Sequence, residues 1–189
     1  MAALQLEEMP VELFTAHSRI MGKYRTRHIY IRDALNEAKE SYLDLQAVSI
    51  DYLEDAQRPS VSSIEARLDK DAIILAIPHR VKGHTEAIKR RAFLARAGKS
   101  EDRLLISAPP FQISGNLKLA RGYNVKDALN RMEETFITLS EVAVRYLPLA
   151  SVSFTVQETV VNRDHIQMVC AGFHEDLEEL KRLPHLPSG

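Results

Sequence analysis

A basic segment is the part of the chain most strongly biased towards one kind of chemistry. Residues 79–103 hold eight lysines or arginines against three acidic residues, whereas the whole chain has a formal net charge of −1. An accessible cluster of this kind binds phosphate, nucleic acid or an acidic partner. The alternative is that the charges only solvate a connecting segment. The residues that we take as candidate partner-binding residues are Lys89, Arg90, Arg91 and Arg96.

Other side chains that could take part in catalysis or metal binding lack a surrounding sequence pattern that would activate them. None of the seven histidines lies at a recognised metal-ligand spacing, and His165 begins a predicted strand. Cys170 lies on an apolar strand with nothing around it that suggests a reactive thiol, so we interpret it as a small core residue. Asp33 and Asp127 fall in the first turn of predicted helices, where carboxylates cap the backbone. The sequence therefore predicts no catalytic residue, no metal site and no cofactor.

The segments predicted to form the secondary structure around these residues occur as two similar copies along the chain. Residues 31–53 align without a gap with residues 125–147, and nine of the 23 positions are identical. About one or two identities would be expected by chance. We interpret this as an internal duplication. The predicted segments are a first repeat at 11–78, a basic helical linker at 79–102, a second repeat at 103–172, and a short helix and tail at 173–189.

Each repeat is predicted to hold five short strands, with one helix between the second and third strands. The alternation of apolar residues changes phase at Gln46–Ala47 and again at Ser140–Glu141, which predicts a β-bulge or a very tight turn in the third strand. Gly22 and Gly115 fall inside the second strand, where glycine permits a sharp bend or the close approach of another backbone. Tyr146 and its counterpart Tyr52 are predicted to lie in a core or an interface.

The repeated pattern resembles a bacterial domain family of unknown function. The shared features are the glycine in strand two, Asp-Ala-Leu-Asn, an aromatic residue with Leu-x-x-Val, and Asn-Arg-Asp-His-Ile before the last strand. The strand order also resembles an Sm-like barrel. The resemblance implies a mainly β (α+β) fold: a tandem duplication of a small five-stranded, partly open Sm/SH3-like barrel, with one inserted helix per copy and a helical linker.

These observations favour a non-catalytic binding or scaffold module. Its partner would be an unknown protein or another copy of the chain, because open sheet edges pair readily. The alternative is RNA binding through the basic linker helix and the barrel loops. The sequence has no apolar run approaching the roughly 18 residues of a transmembrane helix and no secretory pattern at its amino end. We therefore expect a cytoplasmic protein that does not bind membranes.

Overall fold

In the computed structural model, ten strands form one continuous antiparallel sheet. The structure describes residues 6–37, 39–79, 99–120, 122–172 and Pro184. The strands are β1 (Glu7–Phe14), β2 (Ser18–Thr26), β3 (Tyr42–Tyr52), β4 (Val61–Asp69), β5 (Leu75–Pro78), β6 (Lys99–Ala108), β7 (Phe111–Ala120), β8 (Phe136–Tyr146), β9 (Ser153–Asn162) and β10 (Met168–Ala171). The described helices are α1 (Ile31–Leu35) and α2 (Val125–Arg131), with 3₁₀ turns at Lys70–Ala72 and Arg163–His165.

The order of the strands overturns the expected pair of barrels. Across the sheet the order is β10-β6-β7-β8-β9-β5-β1-β2-β3-β4. Two separate five-stranded Sm/SH3-like barrels would need β5 to close on its own half, but β5 pairs with β1 on one side and with β9 on the other. This pairing gives the main chain of β5 two neighbours and buries Leu75 and Ala76 completely. The prediction of two barrels is therefore wrong.

The segment predicted as the linker is only partly described. β6 already begins at Lys99, within the 79–102 range assigned to the linker. Residues 80–98, where the linker helix was expected, lie outside the described residues. Neither described helix is long or apolar enough to cross a membrane.

Residues 7–78 (the first half) and residues 99–171 (the second half) pair their strands in matching registers. Val11 faces Gly22 across β1 and β2, and Leu104 faces Gly115, 93 positions later, across β6 and β7. The third and fourth strands of each half also correspond, with displacements of 94 and 93 residues. Each residue of the first half therefore has a structural equivalent in the second, 94 residues later from position 31 to position 53 and 93 residues later elsewhere.

The predicted bulges are confirmed in both halves. Ala47 has a φ of 50° and Glu141 a φ of 52°, and the register shifts opposite the glycine of the neighbouring strand. A Cβ atom at Gly115 would lie 3.1 Å from Cγ2 of Val142 and 3.2 Å from Cβ of Leu139. Glycine is required there because the third strand crosses so closely.

The hydrophobic cores of the two halves interlock where the halves meet. Phe14, from the first half, stacks on Phe154 of the second with ring centroids 5.3 Å apart, and its edge meets Phe111 at 6.0 Å. Leu53 and Leu75 also belong to a core cluster made largely of second-half residues. Burying this apolar surface stabilises the pairing of β5 with β9 as well as each half.

Replacing the strand-two glycines tests the close approach. Gly115→Ala should lower the free energy of unfolding by about 1–3 kcal/mol, because the new methyl group meets packed side chains. Gly22→Ala should cost less, because its nearest contact is a single carbonyl oxygen, that of Gln46, at 3.3 Å. Urea unfolding of both variants measures the difference, and equal stability of the Gly115→Ala variant and the wild type would contradict the packing.

Candidate interaction surface

The basic residues singled out in the sequence fall outside the described part of the chain. The residues concerned are Lys89, Arg90, Arg91 and Arg96. Binding of RNA or of an acidic partner through them stays a prediction. The C-terminal segment 173–189 is likewise outside, except for Pro184, whose carbonyl accepts a hydrogen bond from the backbone N–H of Thr155 in β9 at 2.7 Å.

Three other residues considered in the sequence lie within the described part of the chain. Nε2 of His165 lies 2.7 Å from the carbonyl oxygen of Asp71, so this histidine joins the two halves. Cys170 is half-buried on β10, so its assignment to the core is wrong. Tyr146 is 1% exposed at the meeting of the two halves, which confirms the prediction of a core or interface tyrosine.

The Tyr146 hydroxyl is a hydrogen-bonding group between the two halves. It lies 3.2 Å from the carbonyl oxygen of Ala16 and 3.0 Å from Oε1 of Glu54, both in the first half. Burial and the hydrogen bond with Glu54 raise the pKa of Tyr146 to about 12. The phenol therefore keeps its proton at neutral pH and serves as a donor across the junction.

Glu12 is the one acidic residue among the described buried residues, and its surroundings hold it as a carboxylate. Burial alone would raise the pKa of Glu12, but hydrogen bonds with His79 and Arg19, and the charges of these groups, bring it below the usual value. Nε of Arg19 donates to Oε1 at 2.6 Å, and Nε2 of His79 lies 3.1 Å from Oε2. The carboxylate thus ties β1 to β2 and to the end of β5 and is not set up as a proton donor.

Lys70 and its equivalent Arg163 are hydrogen-bonded to carbonyl groups at the C-terminal ends of α1 and α2. Nζ of Lys70 donates to the carbonyl oxygens of Ala34 and Glu37 at 3.0 and 2.9 Å, and burial lowers the pKa of Lys70. Arg163 donates in the same way to Leu129 and two further carbonyls after α2. Both cations satisfy carbonyl groups left free at a helix C-terminus, which is a structural use.

Two polar clefts lie on the described surface. A cleft of about 860 Å³ over β2, β3 and β4 contains the Arg67–Asp44 pair at 2.7 Å and Glu37. A groove of about 700 Å³ lies between α1 and the start of β8 and is lined by several exposed acidic side chains. It also contains Lys70, whose ammonium group is already hydrogen-bonded at the end of α1. Among the described residues, no group of three or more His, Cys, Asp or Glu is arranged to hold a metal ion.

The junction between the two halves combines main-chain pairing with side-chain hydrogen bonds. Leu75 pairs with Val161 and Ala76 with Val160 across β5 and β9. Beside this ladder, the Asn36 side chain grips the main chain of Phe136: Nδ2 donates to the carbonyl oxygen and Oδ1 accepts from the N–H, both at 2.9 Å. Main-chain pairing plus an amide clamp therefore hold one half on the other.

Further polar contacts support the junction from β9. Nδ2 of Asn162 donates to the carbonyl oxygen of Ile73 at 3.0 Å, and Oγ1 of Thr159 donates to that of Ala76 at 3.0 Å. Both donors are fully buried, so each bond satisfies a group that water cannot reach.

The two ends of the sheet remain open in the part of the chain that the structure describes. β4 pairs only with β3, and β10 pairs only with β6. Most of β4 is solvent-exposed, and its Ile64 side chain is 89% exposed. These edges present unpaired main-chain groups, and that makes them the candidate interaction surface.

Comparison with protein-family models, with curated proteins and with solved structures finds no match to this chain. The resemblances to a bacterial domain family and to Sm-like barrels therefore stay predictions. Sequence reasoning also missed the Asn36 clamp. The available clue was the asparagine that ends both Asp-Ala-Leu-Asn motifs, because a polar residue repeated at a helix end needs a partner.

Removing the clamp should weaken the junction. Asn36→Ala leaves the N–H and carbonyl of Phe136 without partners, so we expect the free energy of unfolding to fall by about 1–3 kcal/mol. The matched control is Asn130→Ala, the exposed equivalent on α2, which should change the single chain by less than about 0.5 kcal/mol. Urea unfolding at low protein concentration compares them, and equal losses would contradict the clamp.

Glu12 should contribute to the pH dependence of stability. Its folded-state pKa lies below the usual 4.5, so its contribution is present above that value and is lost as pH falls through the folded pKa. Glu12→Gln should lower the free energy of unfolding by about 1–3 kcal/mol at pH 7, with a difference that shrinks in acid. Urea unfolding between neutral and acid pH measures it. Glu8→Gln, which breaks an exposed pair with Lys23, should change little.

Proposed function

We propose that the protein is a non-catalytic binding or scaffold module that takes up an extended segment of a partner along the open edge of β4. The observation that carries this proposal is the long exposed edge of β4, nine residues from Val61 to Asp69 that pair on one side only within the described chain. Strand addition to such an edge uses main-chain hydrogen bonds for affinity and side-chain contacts for specificity.

The equivalent strand in the second half supports this mode of binding. The outer side of β9 is occupied by β5 and, further along, by the chain at Pro184. The fourth strand of a half therefore accepts extended chain on its outer side when a segment is at hand. In the first half the same side of β4 is left open within the described residues.

The side chains along β4 are also compatible with pairing. Natural edge strands are protected by charged side chains, above all lysine, by proline or by a bulge. β4 contains neither proline nor lysine, and its Arg67 is already paired with Asp44 on β3. It also carries Val61 and Ile64 as exposed apolar side chains beside the charged Glu65 and Asp69. An edge of this kind favours a partner strand that covers these groups.

A photo-crosslinking amino acid tests the proposal in the native host. p-Benzoylphenylalanine in place of Ile64 should give an adduct with a protein chain, because an added strand would lie beside this position. The matched control replaces Gln157, the exposed equivalent on β9, which lies between the positions held by Pro184 and by β5. Absence of an adduct at position 64, or equal adducts at both positions, would refute binding at the β4 edge.

A further inference from the structure

We infer that the occupant of the β4 edge is β10 of a second copy of this chain, so that copies associate head to tail. This inference rests on the proposed function and names its partner. Its basis is the junction inside the chain, where the last strand of the first half, β5, pairs with the fourth strand of the second half, β9. The chain leaves the corresponding two strands, β10 and β4, open in its described part.

The matching registers define the expected contact. Leu75 and Ala76 of β5 correspond to Met168 and Val169 of β10, and Val161 and Val160 of β9 correspond to Leu68 and Arg67 of β4. Repeating the internal junction between two molecules therefore pairs Met168 with Leu68 and Val169 with Arg67. No new type of contact is needed, because the chain already makes this one within itself.

Exposed apolar residues occupy the positions that the internal junction buries. Leu53 is 6% exposed at the junction, whereas its equivalent Leu147 is 58% exposed. The same contrast holds for three further pairs, each with a buried junction residue and an exposed equivalent. These pairs are Leu75 and Met168, Phe136 and Tyr42, and Phe154 and Val61. Four of the nine large apolar residues exposed in the described chain are thus explained by one absent contact.

The asparagine that forms the amide clamp also has an equivalent in the second half. Asn130 ends the second Asp-Ala-Leu-Asn motif as Asn36 ends the first, and its side chain is exposed with no hydrogen-bond partner among the described residues. Tyr42, the equivalent of Phe136, begins β3 beside the open edge. In the second contact, Asn130 of one molecule would grip the main chain of Tyr42 in the next.

Several supports of the internal junction are absent from the second contact, so we expect it to be weaker and concentration-dependent. Asn162 corresponds to Asp69, whose carboxylate cannot donate a hydrogen bond. Thr159 corresponds to Ala66, and the aromatic stack has no counterpart because Ser107 stands at the place of Phe14. The contact between two molecules would therefore consist of the β10–β4 pairing, the Asn130 clamp and the exposed apolar residues.

A contact between two different edges continues from molecule to molecule. Each chain offers one β4 edge and one β10 edge, so association proceeds until a ring closes, or as a filament if it does not. A mass that reaches a plateau at twice 21.4 kDa or a higher whole multiple indicates a ring. A mass that keeps rising with concentration indicates a filament, and either result supports the inference.

Cysteine crosslinking between two single-cysteine chains tests the register. In a Cys170→Ala background, a chain with Arg67→Cys is mixed with a mass-tagged chain carrying Val169→Cys and is then mildly oxidised. The expected product is a mixed disulfide dimer. The control, Ser63→Cys mixed with Val169→Cys, should give much less of this dimer, because position 63 lies four residues from the paired position. Equal yields would overturn the register.

Two substitutions with opposite expected effects test the contact in solution by sedimentation equilibrium. Asn130→Ala should weaken association about tenfold, because it removes the clamp. Asp69→Asn should strengthen association about threefold to tenfold, because it restores the donor that Asn162 uses in the internal junction. Circular dichroism and urea unfolding show whether each variant remains folded as a single chain.

The outcomes separate this inference from the proposed function. A monomer at every concentration, or a disulfide only within one chain carrying both Arg67→Cys and Val169→Cys, would overturn head-to-tail association. If the crosslinker at position 64 then captures a different protein, binding at the β4 edge stands and only its occupant is wrong. If it captures nothing, both fail.

Discussion

The pairing of β5 with β9 is the interaction on which the rest of this structure depends. β5 has only four residues, and it is held between β1 and β9. Without the second neighbour, one side of its main chain and the side chains of Leu75 and Ala76 would lose their cover, and so would the stacked ring of Phe14. Because those groups belong to the cores of both halves, this short ladder makes one sheet from two five-stranded pieces.

The polar groups buried around this ladder hold the framework of the sheet together. Glu12 is held by Arg19 and His79, and Lys70 is held by carbonyl groups at the C-terminal end of α1. Each of these groups is hydrogen-bonded to its own framework, whereas a proton donor or base in catalysis must face a substrate. Asn162 likewise donates to the neighbouring half. Their chemistry is used to join strands, helices and halves.

Equivalent residues in the two halves differ in exposure because the described part of the chain makes the junction only once. Leu53 is covered by the second half, whereas no described residue stands in the same relation to Leu147. A residue type suited to a core is therefore found on the surface at several places that share one geometric cause. Differences of this kind between repeated units carry more information about binding than the residues that agree, because the shared ones maintain the fold.

The sequence by itself determined the local features. The bulges at Ala47 and Glu141 and the tight crossing at Gly115 follow from alternation and residue size within a few residues. Only the tertiary structure decided which strand pairs with β5. A short apolar strand such as β5 forms the same main-chain hydrogen bonds with any antiparallel neighbour. Its sequence is therefore equally compatible with closing a barrel within the first half and with pairing to β9. The choice depends on contacts between residues about 85 positions apart, such as Leu75 with Val161, which no local pattern encodes.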